Sequence, residues 1–182
     1  MDLYLTEPVG PFPSSIGAAF NTFTTRQDIS GVGRLPVIPA GKLRAGSQLE
    51  VDCRGEFSTT GTPTLSIGIY LGTQVPAITT VIAESAAITT GSGAAAWAWE
   101  LHWEGLVTDA VAAGSMTGTG YLKLGTSLTA YAADAPIPTT AAARVVTIDT
   151  TIARAIGVCA TWGTSSASNS IKVYKHSVTI RN

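Results

Sequence analysis

The chain has 182 residues, of which 45% are hydrophobic and only 13% are charged, and its formal net charge is -1. This length suits one domain with a proper core, and eleven basic residues spread without a cluster exclude a nucleic-acid interface held by positive charge. Charged residues make up about 25% of a typical soluble domain, so part of this weakly charged surface is expected to rest against other protein.

Residues 1–40 are predicted to form an extended arm, separate from a folded domain at residues 41–182. Five of the nine prolines fall in this segment, and proline at that density opposes both helix interiors and central strands. The arm is too rich in large apolar side chains to be a disordered tail, so it should dock on its own domain or on a neighbour. Its candidate anchors are Leu3, Tyr4, Leu5, Phe12, Ile16, Phe20 and Phe23.

From residue 41 onward, short alternations of apolar and polar residues predict β-strands separated by turns rich in Gly, Ser, Thr and Pro. Eight or nine strands without a convincing helix indicate an all-β fold, an antiparallel β-sandwich of jelly-roll-like type that carries the N-terminal arm. The predicted strands span residues 48–57, 64–71, 78–83, 97–107, 118–124, 145–149, 155–162 and 170–180.

The segment 97–104 has the most informative pattern of all. Its strict alternation puts three tryptophans and a leucine on one face and polar residues on the other. Side chains this large and apolar are expected to fill the core. With a fourth tryptophan from a later strand, the predicted structural core contains Trp97, Trp99, Leu101, Trp103 and Trp162.

The last predicted strand changes its alternation along its length. Ile171 and Val173 share one face, whereas Val178 and Ile180 have the opposite parity. The simplest explanation is one extra residue in the strand, so a β-bulge is predicted within residues 174–177.

The two cysteines, Cys53 and Cys159, lie far apart in the sequence and within predicted strands. Two buried thiols are predicted in preference to a disulfide. The N-terminus lacks the basic start and apolar run of a secretory signal, and no segment reaches transmembrane length, so synthesis in a cytoplasm is expected.

The sequence contains no motif typical of an enzyme active site: no nucleophile elbow, no phosphate-binding glycine loop and no Cys-X-X-Cys pair. Only His102 and His176 could serve as a general base near neutral pH. We therefore predict no enzymatic activity, no catalytic residue, no cofactor and no metal.

One group of polar residues allows a metal site as the less favoured alternative. On a strand, Glu100, His102 and Glu104 project from the same face about 6.5 to 7 Å apart, a spacing that can hold a metal between neighbours. The favoured interpretation is a solvated strand face with cross-strand Arg or Lys partners. Glu50 and Asp52 are interpreted in the same way, because outward residues of one strand do not form a glycosidase cleft.

Four tyrosines allow a different hypothesis. Aromatic faces stack on pyranose rings, so Tyr70, Tyr121, Tyr131 and Tyr174 could form a sugar-binding platform. The competing interpretation places these tyrosines at strand ends and subunit contacts.

Three sequence runs carry a resemblance to a known family: TGTPTLSIGIYLG at residues 60–72, AITTGSGA at residues 87–94 leading into 97–101, and ATWGTSSASNSI at residues 160–171. Together they resemble structural proteins of tailed-bacteriophage virions over about residues 57–180. Members of this family are small β-sandwiches that serve as capsid decoration (cement) proteins or as minor head or tail components.

The resemblance implies a structural role and brings no catalytic residues. The expected function is capsid decoration on the virion exterior, with the major capsid protein and further copies of the chain, grouped as a homotrimer, as partners. The arm would act as the clamp. Neither nucleic acid nor membrane is expected as a partner. The alternative is a minor tail or receptor-binding module that recognises host-surface glycans through exposed tyrosines.

Overall fold

The computed structural model describes residues 19–30, 35–74, 77–131 and 134–181. These residues form strands joined by turns, with one short 3-10 turn at Ala142–Arg144. No helix in the described residues is long and apolar enough to cross a bilayer. The strands are β1 (Phe20–Asn21), β2 (Gln27–Asp28), β3 (Val37–Ile38), β4 (Gln48–Ser58), β5 (Thr64–Gln74), β6 (Ala77–Glu84), β7 (Ile88–Thr89), β8 (Trp97–Asp109), β9 (Gly114–Leu124), β10 (Ala135–Ile137), β11 (Val145–Ile148), β12 (Arg154–Trp162) and β13 (Ser170–Arg181).

The strands form two antiparallel sheets that pack face to face, which confirms the predicted all-β sandwich. The larger sheet has the order β1-β13-β4-β8-β9-β10, and β11 pairs with the other half of β9. The smaller sheet has the order β2-β12-β5-β6, with β3 on β12 and β7 on β5. The more specific jelly-roll arrangement stays a prediction.

The central strands of the larger sheet owe their position to their alternating apolar residues. In both β4 and β8, buried residues alternate with more exposed ones along most of the strand. The register pairs Val51 with Trp103 and Cys53 with Leu101, so the apolar sides of the two strands face the same core. Trp97, at the start of β8, is only half-buried and packs edge-on against Phe57, with ring centroids 6.2 Å apart.

The indole rings of β8 need neighbours without side chains. Trp103 lies over Gly105 and Gly118, which are direct cross-strand partners, and a Cβ added at either glycine would stand 2.1 Å from the ring. Trp99 donates its indole N–H to the carbonyl of Lys172 at 3.1 Å, passing over Gly55 on the intervening strand. Glycines on β4, β8 and β9 therefore provide the space that two tryptophans occupy.

The predicted bulge in the last strand is confirmed. Val173 pairs with Gly55, but Lys175 pairs with Arg54, so one residue of β13 has no partner on β4. After this irregularity the inward parity changes, and His176 joins the buried side of the strand.

The described part of the predicted arm, residues 19–30 and 35–40, pairs with strands of the sandwich. Strand β1 pairs with β13, and strands β2 and β3 pair with β12. Phe23 is buried in the main core, and Phe20 packs against that core. Leu3, Tyr4, Leu5, Phe12 and Ile16 lie outside the described residues.

The same segment covers the outer face of the smaller sheet. Leu35 forms a second apolar cluster with Tyr70, Ile78, Ala155 and Cys159. The Arg26 guanidinium lies 4.4 Å from the centre of the Tyr70 ring. A sheet face covered in this way has little need of charged residues, which contributes to the low charge of the chain.

The prediction of two buried thiols is confirmed, since Cys53 and Cys159 are free and buried.

We expect Gly118→Ala to destabilise the protein by about 1–3 kcal/mol, because the new methyl group would overlap the Trp103 ring. Urea unfolding followed by tryptophan fluorescence measures the change. Gly61→Ala is the matched control, because a Cβ there meets nothing within 4 Å. Equal stabilities for the two variants would contradict this account of the core.

Candidate functional site

The outer face of the larger sheet collects the charged residues that the sequence analysis singled out. On β4 and β8 these residues alternate with core residues, so they share the solvent side. The antiparallel register then decides which of them meet. It places Asp52 opposite His102 and sets Glu50 opposite Glu104.

His102 is held between two carboxylates. Its Nδ1 lies 2.8 Å from Oδ1 of Asp52, and its Nε2 lies 3.3 Å from Oε1 of Glu104. Partial burial lowers the pKa of His102, but the hydrogen bond and charge of Asp52, with the charges of Glu104 and Glu50, outweigh it. The pKa of His102 is therefore raised above its ordinary 6.5. The Tyr121 ring packs beside the imidazole, with centroids 5.5 Å apart.

The other carboxylates of this face have basic partners on adjacent strands. Arg54 pairs with Glu100 at 3.0 Å, Lys172 with Glu56 at 2.7 Å and Arg181 with Glu50 at 2.9 Å. The Lys172 and Tyr174 side chains, through hydrogen bonds, lower the pKa of Glu56. The pattern is that of a solvated face with cross-strand ion pairs.

The metal-ligating alternative involves a different set of residues from the one the sequence suggested. Donor atoms of Glu50, Asp52 and His102 lie within 4.8 Å of one another, whereas Glu100 turns to Arg54. Sequence spacing along one strand could not find this set, because it depends on the pairing of β4 with β8. Each of the three groups has a protein partner, since Asp52 pairs with His102 and Glu50 pairs with Arg181.

His176, the second candidate base, lies in the core and far from solvent. It is 3% exposed, and its Nε2 has no hydrogen-bond partner among the described residues. Burial lowers the pKa of His176 to about 4. His102 hydrogen-bonds to carboxylates and not to a hydroxyl or thiol, so within the described chain neither histidine is joined to a nucleophile.

The four tyrosines do not form a common sugar-binding platform. Tyr70 is 1% exposed, and burial is the main reason that its pKa is raised. Tyr121 is half-buried beside His102, with the Lys123 ammonium 4.6 Å from its ring centre. Tyr131 and Tyr174 are exposed, but Tyr131 follows β9 whereas Tyr174 lies on β13, three strands away in the sheet order. The four tyrosines are therefore not brought together within the described chain, and the glycan hypothesis stays a prediction.

Four of the five residues predicted to form the core are buried in it, and the fifth lies at its edge. Trp99, Leu101, Trp103 and Trp162 are each 1% exposed or less, and Trp97 is half-buried at the edge. Of the residues assigned to the arm interface, Phe20 and Phe23 serve the chain's own core instead. The sequence could not show this, because an apolar residue gives the same sequence pattern whether it packs on its own chain or on a neighbouring chain.

Comparisons with protein-family models, with curated proteins and with solved structures find no significant match. The family resemblance and the function that it implies therefore stay predictions.

We expect the stability of the protein to fall by about 3 kcal/mol between pH 6.5 and pH 4 through His176. The folded state holds this histidine neutral, so its contribution is present above pH 6.5 and is lost as the unfolded chain takes up the proton. Urea unfolding at pH 7, 5.5 and 4.5 measures the decline. His176→Leu should show a shallower decline, and an unchanged slope would show that other groups cause it.

Asp52→Asn should lower the pKa of His102, because the variant loses the charge that favours the imidazolium. NMR titration of the imidazole ring measures this directly. In the native protein the pair contributes stability below pH 6.5 that is lost as pH rises through the higher folded value. Glu100→Gln, on the same face but paired with Arg54, is the control and should leave the titration midpoint almost unchanged. A larger effect from Glu100→Gln than from Asp52→Asn would contradict the assignment.

Proposed function

We propose that this chain is a structural virion protein of a tailed bacteriophage, a capsid decoration (cement) protein that binds the major capsid protein lattice and stabilises the head. The chain acts by adhesion, and the proposal assigns it no reaction, cofactor or metal. Copies of the sandwich group as trimers at the local threefold positions of the shell.

The observation that supports the proposal is the set of large hydrophobic side chains that are exposed among the described residues. Leu128, Val145 and Tyr131 are 76%, 59% and 51% exposed, and six other large hydrophobic residues are at least 40% exposed. Only 13% of the chain is charged. A surface of this kind gains stability when it is covered by other protein subunits.

The open edge of the smaller sheet adds a specific place for such a contact. Among the described residues, strand β6 pairs only with β5, and the segment 138–147 lies beside it across a groove of about 450 Å³. Val81 and Val145, both about half exposed, flank the groove. By contrast, the part of β13 beyond Ser170 and Ile171, the two residues that pair with β1, carries Lys172, Lys175 and a bulge, features that discourage strand pairing.

The segment proposed to hold the chain on the capsid, the clamp, is confined to residues 1–18. Phe20 and Phe23 are removed from it because they pack on the chain's own core. Of the candidate anchors named above, Leu3, Tyr4 and Leu5 lie furthest from the sandwich along the chain. Burying side chains of this size contributes about 1.5–3 kcal/mol each.

We expect the combined changes Leu3→Ser, Tyr4→Ser and Leu5→Ser to lower occupancy on capsids at least tenfold while leaving the sandwich folded. Co-sedimentation with capsids that lack the protein measures occupancy, and thermal unfolding checks the fold. Ala112→Ser with Ala113→Ser, both on exposed positions outside the arm, is the control. Full occupancy by the triple variant would exclude the clamp, and finding the chain only in separated tails by mass spectrometry would exclude capsid decoration.

A further inference from the structure

A second groove lies on the outer face of the larger sheet, at the end where β4, β8 and β9 carry small or polar residues. Its volume is about 350 Å³, within the range of about 300–1,000 Å³ common for small-molecule sites. The backbone of the glycine pair Gly105 and Gly118 forms part of its lining, together with the side chains of Leu106, Thr117 and Thr119. The Cβ positions of both glycines face the Trp103 ring on the inner side, so the side chains that flank the glycines on the outer side shape the groove.

Two arginines and two glutamates line the same groove. Arg181 is paired with Glu50 at 2.9 Å, and Glu104 is directed toward His102 Nε2 at 3.3 Å. Arg144, at the end of the 3-10 turn, also lines the groove and makes no ion pair with any described residue. Of the two arginines that line the groove, Arg144 is therefore the one whose guanidinium has no ion-pair partner in the described part of the chain and can bind an anion.

From this arrangement we propose that the groove binds an acidic saccharide, a sugar ring that carries one carboxylate. The Arg144 guanidinium has a planar fork of donors that matches a carboxylate. The hydroxyls of the ring donate to the Glu104 carboxylate, and Thr117 and Thr119 provide further hydroxyl partners. Leu106, 42% exposed, presents an apolar surface to the C–H face of the ring.

The charges of the groove separate this ligand from two others of similar size. A phosphate dianion would lie close to Glu50 and Glu104, whose negative charges repel it. A neutral sugar would leave the Arg144 guanidinium without a partner. A monoanion with several hydroxyl groups can pair its charge with the Arg144 guanidinium and donate hydrogen bonds to the glutamate carboxylates. The proposal does not depend on capsid decoration, since it uses neither residues 1–18 nor the β6 edge.

The test is an NMR titration of the full chain with glucuronate, with glucose and with inorganic phosphate. We expect glucuronate to shift the amide signals of Gly105, Leu106, Thr117 and Gly118, with a lower Kd than either other probe. Added salt should weaken the binding, because it depends on charge. Binding of glucose as tight as that of glucuronate, tighter binding of phosphate, or no shift at these residues would each overturn the proposal.

Variants of the free guanidinium make the test specific. Arg144→Gln should raise the Kd for glucuronate about tenfold or more, and Arg144→Lys should give an intermediate Kd, because it keeps the charge and loses the fork. Arg54→Gln is the matched control, since Arg54 lies on the same face but pairs with Glu100 outside the groove. The dispersion of the amide spectrum shows that each variant is folded. An unchanged Kd in Arg144→Gln would overturn the assignment.

Discussion

The architecture depends on how two indole rings fit between the sheets. Trp99 and Trp103 extend sideways over neighbouring strands, and they can do so only because Gly55, Gly105 and Gly118 leave the inner surface bare. Each ring buries a large apolar area. The arrangement also fixes the register of β4, β8 and β9, since a slip by one residue would place a side chain beneath a ring.

That register in turn determines the chemistry of the outer face. Glu50 and Glu104 are placed opposite each other, a repulsive pairing that Arg181 and His102 offset from either side. The face is therefore largely neutralised by its own ion pairs. Exposed pairs of this kind contribute little stability individually. Among the described residues that line the groove, Arg144 is the cation without an ion pair.

The sequence was sufficient to predict those strands in which apolar and polar residues alternate. It located β4, β8 and β12 to within a few residues, and it predicted the bulge in β13 from the change of parity between Val173 and Val178. It was insufficient where the outcome depends on distant partners. Nothing local shows that Phe23 docks on its own sandwich, or that Asp52 and not Glu100 reaches His102, because both results follow from pairings between segments far apart in the chain.

The two cysteines are buried in different parts of the sandwich. Their alkylation would therefore report on two different opening motions of the protein. Thiolates are the reactive form, and burial raises the pKa of both thiols, that of Cys159 to about 12. Cys159 lies on the outer side of the smaller sheet, beneath Leu35, whereas Cys53 lies between the sheets. An alkylating reagent can therefore reach Cys159 once the covering segment lifts, but it reaches Cys53 only when the two layers separate.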